Sequence, residues 1–125
     1  MPYVKRHTVA VTTDALGDAE VFTEELTGRL VSISYVKDDY AAGVDFEITT
    51  ETSEIDVWKE NDVDATKTVY PRHATHTTAG VANDTAGDVL LGEIYLAQER
   101  IKLVVDDGGD KKSGTFYVVV DGPTA

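Results

Sequence analysis

The chain has 125 residues, no cysteine, and 23 acidic side chains against 11 Lys and Arg, for a formal net charge of −12. One domain of ordinary size is expected, without disulfides or thiolate metal sites. A field this negative repels phosphate backbones, so nucleic acid is excluded as a partner.

No apolar run approaches 18 residues, and the opening MPYVKRHTVAV lacks the apolar core of a secretory leader. Neither a membrane partner nor export by that route is therefore expected. The acids are spread from Asp14 and Asp18 through Asp38, Asp39, Asp62 and Asp64 to Asp106 and Asp107. A dispersed acidic surface suits high salt, because the Debye length shrinks to about 3 Å at 1 M. That fits a halophilic or marine source as well as it fits an ordinary acidic protein.

Strand periodicity dominates. Residues 8–13 alternate with Val9 and Val11 on one face, after a possible N-terminal arm at 1–7. Asp14 to Asp18 (DALGD) reads as a turn, since Asp can bond its own backbone and Gly17 permits positive φ. A more polar strand over 19–26 follows. Residues 28–37 predict a stronger one, with Val31, Ile33 and Tyr35 on one side and Leu30, Ser32, Ser34 and Val36 on the other. After the connection Asp38–Gly43, Val44, Phe46 and Ile48 face inward. Residues 55–60 carry Trp58, and 66–70 make a short strand stopped by Pro71, which donates no ladder hydrogen bond.

The stretch 71–88 has neither period and reads as one long loop, a length usually reserved for function or disorder. Residues 89–97 are nearly continuously apolar and read as a strand. The last quarter, RIKLVVDDGGDKKSGTFYVVVDG, predicts a β-hairpin of 101–105 and 115–120 around a charged tip. Eight or nine short strands with no helix predict an all-β fold, an antiparallel, jelly-roll-like β-sandwich in one domain over 1–125. In the final strand Tyr117 and Val119 lie opposite Phe116, Val118 and Val120, so both faces are apolar. A sandwich strand facing water should be polar on one side, which suggests a neighbouring subunit or another segment as cover.

Catalytic patterns are weak. His73 and His76 could place two imidazoles near one metal, with Asp84 as a third ligand, but two His on a Gly/Thr-rich loop read better as a solvated loop. No serine lies in a nucleophile elbow, and no helix follows the glycines of Asp106–Asp110 to cradle a phosphate. Asp62, Asp64 and Thr66, and the acids of the Asp106–Asp110 tip, lack the later Gly and Glu of a calcium loop. Trp58, Tyr35, Tyr40, Tyr70, Tyr95 and Tyr117 could stack on sugars, although such rings more often fill a sandwich core. The chain is read as non-enzymatic, with no catalytic residue, cofactor or metal.

The segments VKDDYAAGVDF, YPR and GGDKKSGTF, within Gly28–Thr52, Val69–Gly80 and Glu99–Gly122, resemble a family of small virion structural proteins of tailed viruses. The resemblance implies a capsid decoration protein located in the virion, partnered by the major capsid protein or other virion proteins and by copies of itself. A tail or head–tail connector component is the near alternative, and a carbohydrate-binding module the alternative from another class. Candidate interface residues are Tyr3, Val4, Arg72, His73 and His76, joined by Tyr117 and Val119 from the doubly apolar strand.

Overall fold

The computed structural model describes residues 2–83 and 91–123. Eleven strands run in chain order: β1 (Pro2–Thr12), β2 (Ala19–Phe22), β3 (Leu26–Lys37), β4 (Asp45–Thr50), β5 (Asp56–Glu60), β6 (Lys67–Val69), β7 (His73–Ala74), β8 (Leu91–Gly92), β9 (Tyr95–Glu99), β10 (Ile101–Asp106) and β11 (Ser113–Pro123). Two antiparallel sheets form the expected β-sandwich. Sheet A has the order β1-β11-β3-β6, with β9 also on β3, and sheet B has the order β2-β10-β4-β5. A two-stranded ladder, β7-β8, stands apart.

The core is closed by side chains of both sheets. Leu30, Ile33, Tyr35, Phe116 and Val118 of sheet A meet Phe46, Ile48, Ile101, Leu103 and Val105 of sheet B, all almost fully buried. Phe46 is the hub. Its ring centroid lies 4.7 Å from that of Tyr35, 5.0 Å from that of Phe116 and 5.4 Å from that of Trp58, all edge-on. Such geometry sets the positive ring edge against the negative ring face. Burial raises the Tyr35 phenol to about 12, with Asp38, Asp39 and Asp64 adding to the shift. Tyr40 is pushed up further, again chiefly by burial. Its hydroxyl donates to the Val11 carbonyl at 2.7 Å, anchoring the 38–43 connection to β1.

Several expectations change. The two closing strands are not a hairpin. β10 pairs with β2 and β4, whereas β11 pairs with β1 and β3, so residues 107–112 carry the chain from one sheet to the other. The crossing is held by Thr13, whose hydroxyl donates to the Gly109 carbonyl at 2.6 Å and accepts from the Lys112 N–H at 2.9 Å. Positive φ at Asp107, Gly109 and Lys111 supplies the bends.

Residues 2–7 are not a loose arm: β1 pairs with β11 from Pro2 onward in unbroken register. In β3 the inward set is Leu30, Ile33 and Tyr35, because Val31 is an extra residue opposite the Val119–Val120 step. A bulge of this kind shifts side-chain parity by one, which strict alternation misses. The expected 19–26 strand ends at Phe22, and Leu26 opens β3. The turn at 14–18 is as expected, with the Asp14 carboxylate accepting from the N–H groups of Leu16 and Asp18.

The long-loop region holds more structure than its composition suggests. β7 pairs with β8, and His76 bridges Ala82. Residues 84–88 of that loop, with Val89 and Leu90 of the expected 89–97 strand, lie outside the described residues. The remainder of that strand is divided into β8 and β9, so the described residues hold eleven strands where eight or nine were expected.

Candidate interaction face

Register and parity define what each sheet shows to solvent. On sheet A, Phe116, Val118 and Val120 point inward, so Thr115, Tyr117 and Val119 point outward, half-buried by their neighbours. The cross-strand rows on that outer face run Ala10–Thr115–Val36, then Thr8–Tyr117–Ser34–Thr68, then Arg6–Val119–Ser32. These rows hold hydroxyls, small apolar groups and Tyr117, and a single charge, that of Arg6. Its guanidinium carbon stacks 5.1 Å from the Tyr117 ring centroid. Ser34 and Thr68 bond to each other at 2.8 Å. No carboxylate lies in these rows, in a chain with 23 of them.

The face ends in a fourth row, Val4–Asp121–Arg29–Tyr95. Its one acid is matched, because an Arg29 amino group lies 3.3 Å from the Asp121 carboxylate. That hydrogen bond raises the Arg29 guanidinium above its ordinary value, with Glu93 contributing. The two flanks are apolar and open, with Val4 61% and Tyr95 67% exposed.

Sheet B presents the opposite surface. Its outer rows read Glu20–Val104–Glu47–Lys59 and Phe22–Lys102–Thr49–Asp56, and a further pair sets Asp106 against Asp45. Desolvation, then the neighbouring Asp18, Asp107 and Asp45, raise the Asp106 carboxyl above the usual carboxylate range. A carboxyl with a raised folded pKa favours the native state at low pH, and that benefit is lost as pH rises through the folded value. Asp106→Asn is therefore expected to raise the melting temperature at pH 7, with the gain disappearing on titration toward pH 3, as read by thermal melts across the range. Glu51 and Glu60 act in the other direction. Hydrogen bonds from Arg100 and Lys67 respectively hold their carboxyls low, so their stabilisation is lost on acidification.

The interface residues named from sequence fall into two groups. Val4, Tyr117 and Val119 share the outer face of sheet A, and Tyr3 is in β1 opposite Gly122, its side chain outside the described residues. Arg72, His73 and His76 lie on the β7–β8 excursion. Arg72 donates to the Pro71 carbonyl at 2.7 Å and lies 3.4 Å from Glu93, which also faces Arg29 at 3.5 Å. His73 Nδ1 is 2.8 Å from the Ala74 carbonyl, so that nitrogen donates and the ring is oriented by its own backbone. The rings of His73 and His76 are 6.3 Å apart. Among the described residues no three His, Cys, Asp or Glu side chains group to hold a metal ion, and Asp84 lies outside them.

Of the aromatic residues considered for sugar stacking, Trp58, Tyr35 and Tyr40 are core, while Tyr70 and Tyr95 are exposed. Arg6, Thr8, Ala10, Ser32, Ser34, Val36 and Thr68 were not legible as a site in the sequence. The available signal was the absence of acids at alternate positions of 6–12, 32–36 and 115–119, which becomes a surface only once pairing is known.

No family model matches the chain, and no curated protein matches it. Among solved structures it is similar to the crystal structure of FLHE, at 10% identity and a TM-score of 0.42, over 94% of this chain and 96% of that one. The expectation of a capsid decoration protein is corrected. No family model and no curated protein matches the sequence, so neither comparison supports a virion role. The segments behind the resemblance are strand and turn sequences, VKDDYAAGVDF leading into β4 and GGDKKSGTF spanning the sheet-to-sheet crossing. Such segments serve the fold and carry no chemistry specific to a virion.

Proposed function

We propose that this chain is a non-enzymatic protein-interaction module whose docking surface is the outer face of sheet A. The observation that supports this most is the contrast between the two outer faces. The face of sheet B has the alternating acids that keep a sheet solvated, whereas the central rows of sheet A have none. Interface centres are depleted of charge and enriched in Tyr and Arg, which is the composition of the Tyr117–Arg6 region. The β11 strand that carries Tyr117 and Val119 lies between β1 and β3, so the face rests on a rigid ladder rather than on loops.

Val119→Glu places a carboxylate at the centre of the face, and Val104→Glu places one on the outer face of sheet B. In an extract of the cells that make the protein, gel filtration is expected to show the natural chain and Val104→Glu in a larger complex and Val119→Glu released from it. Identical elution of all three, with circular dichroism confirming that each is folded, would reject the docking surface.

A further inference from the structure

We infer that the occupant of this face is a second copy of the chain, packed sheet A against sheet A about a two-fold axis; the inference rests on the docking reading above. Charge is the first argument. Each copy carries −12, and a cationic partner would be drawn to the carboxylates of sheet B rather than to a face without them. A like-charged copy is repelled wherever carboxylates oppose carboxylates. The Ala10, Thr8 and Arg6 rows of sheet A let two copies meet without that opposition.

Self-complementarity is the second argument, because a two-fold interface sets one patch against itself. With the axis along the Thr8–Tyr117–Ser34 row, the Arg6–Val119–Ser32 row of one copy lies over the Ala10–Thr115–Val36 row of the other. Arg6 then lies over Ala10, which sets the longest side chain of these rows against the smallest, while Val119 lies over Thr115 and the two Tyr117 rings meet on the axis. The two Arg6 groups are then about 14 Å apart at the strand rise of ~3.4 Å per residue, beyond the Debye length of about 8 Å at physiological salt.

Size is the third argument. Four strands at ~4.8 Å spacing and nine residues from Val4 to Thr12 project roughly 500 Å². Accessible area exceeds projected area on a face with Val4 and Tyr95 exposed at its edges, which brings it toward the ~800 Å² per partner of a stable complex. The remaining carboxylates still repel at long range, so the dimer is expected to tighten as salt is added.

The test is sedimentation velocity and light scattering of the purified chain from roughly 1 to 500 µM, a window suited to micromolar affinity, at low and at high NaCl. The expected result is a concentration-dependent rise from 13.5 kDa toward twice that mass, with the midpoint moving about tenfold lower at ~1 M NaCl. Val119→Glu and Thr8→Glu are expected to stay monomeric where Val104→Glu still dimerises. A monomer at every concentration and salt would overturn the second copy. So would a dimer indifferent to both face substitutions. If the purified chain is monomeric while Val119→Glu alone is released from the complex in extract, the docking surface stands and its occupant is a different protein.

Discussion

Phe46→Ala is expected to cost about 3–5 kcal/mol, the range for a phenylalanine removed from a packed core. The ring is 1% exposed and touches rings from both sheets, so its loss leaves a cavity where the sheets are joined. Domains of this kind have roughly 5–15 kcal/mol in total, so a large share of the stability disappears. Urea unfolding should show the midpoint fall with the slope unchanged, because the surface exposed on unfolding scarcely alters. Phe22→Ala is the control. That ring is half-buried on the outer side of sheet B beneath the Arg100 guanidinium, at 4.2 Å, and its removal should cost about 1 kcal/mol. Equal losses in the two variants would show that Phe46 is not the joint between the sheets.

Gly28→Ala is the second large effect. Gly28 has φ +128°, a backbone region that side chains rarely adopt. A Cβ there would overlap the Asp121 carbonyl and come within 2.6 Å of the Gly122 Cα. Neither atom is the flexible end of a side chain, so β3 and β11 would have to separate where they pair. Strain and overpacking together predict a loss of about 3 kcal/mol or more, or roughly 10 °C in melting temperature. Gly80 is the control for a positive φ without crowding: its φ is +82°, and an added Cβ meets nothing within 4 Å. Gly80→Ala should cost about 1 kcal/mol. A Gly28→Ala protein as stable as Gly80→Ala would mean that the close approach of the two strands is not tight. The fourth row of the face, with Asp121 and Arg29, sits beside this contact, so the same variant should disturb the docking face.

Alternation read from the sequence located most strands because side-chain parity is a local property. Val44, Phe46 and Ile48 were expected inward and are buried. The partner of each strand is a non-local property and was misjudged at the end of the chain. The segment DDGGDK can turn a hairpin or arch between sheets, and the arch is held by groups about a hundred residues earlier in the chain, the Thr13 hydroxyl and the Asp14 and Gly17 carbonyls. The Val31 bulge was hidden for a similar reason, since it is defined by the strand opposite. The apolar second side of β11 was visible, and the surface it belongs to was not. Thr8, Ser34 and Thr68 are ordinary polar residues until the ladder sets them in one row around Tyr117.

Because the chain has no cysteine, single ones can report which face is covered. Ser34→Cys lies in the Tyr117 row of sheet A, and Thr49→Cys lies on the outer face of sheet B, both half-buried by neighbouring side chains. Maleimide labelling of each, in native extract and after unfolding in urea, reads the cover directly. The Ser34→Cys thiol should label at least about tenfold more slowly than the Thr49→Cys thiol in the native extract, a protection equivalent to ~1.4 kcal/mol, and the two should label alike in urea. Equal labelling of both positions in the native extract would contradict a covered outer face on sheet A.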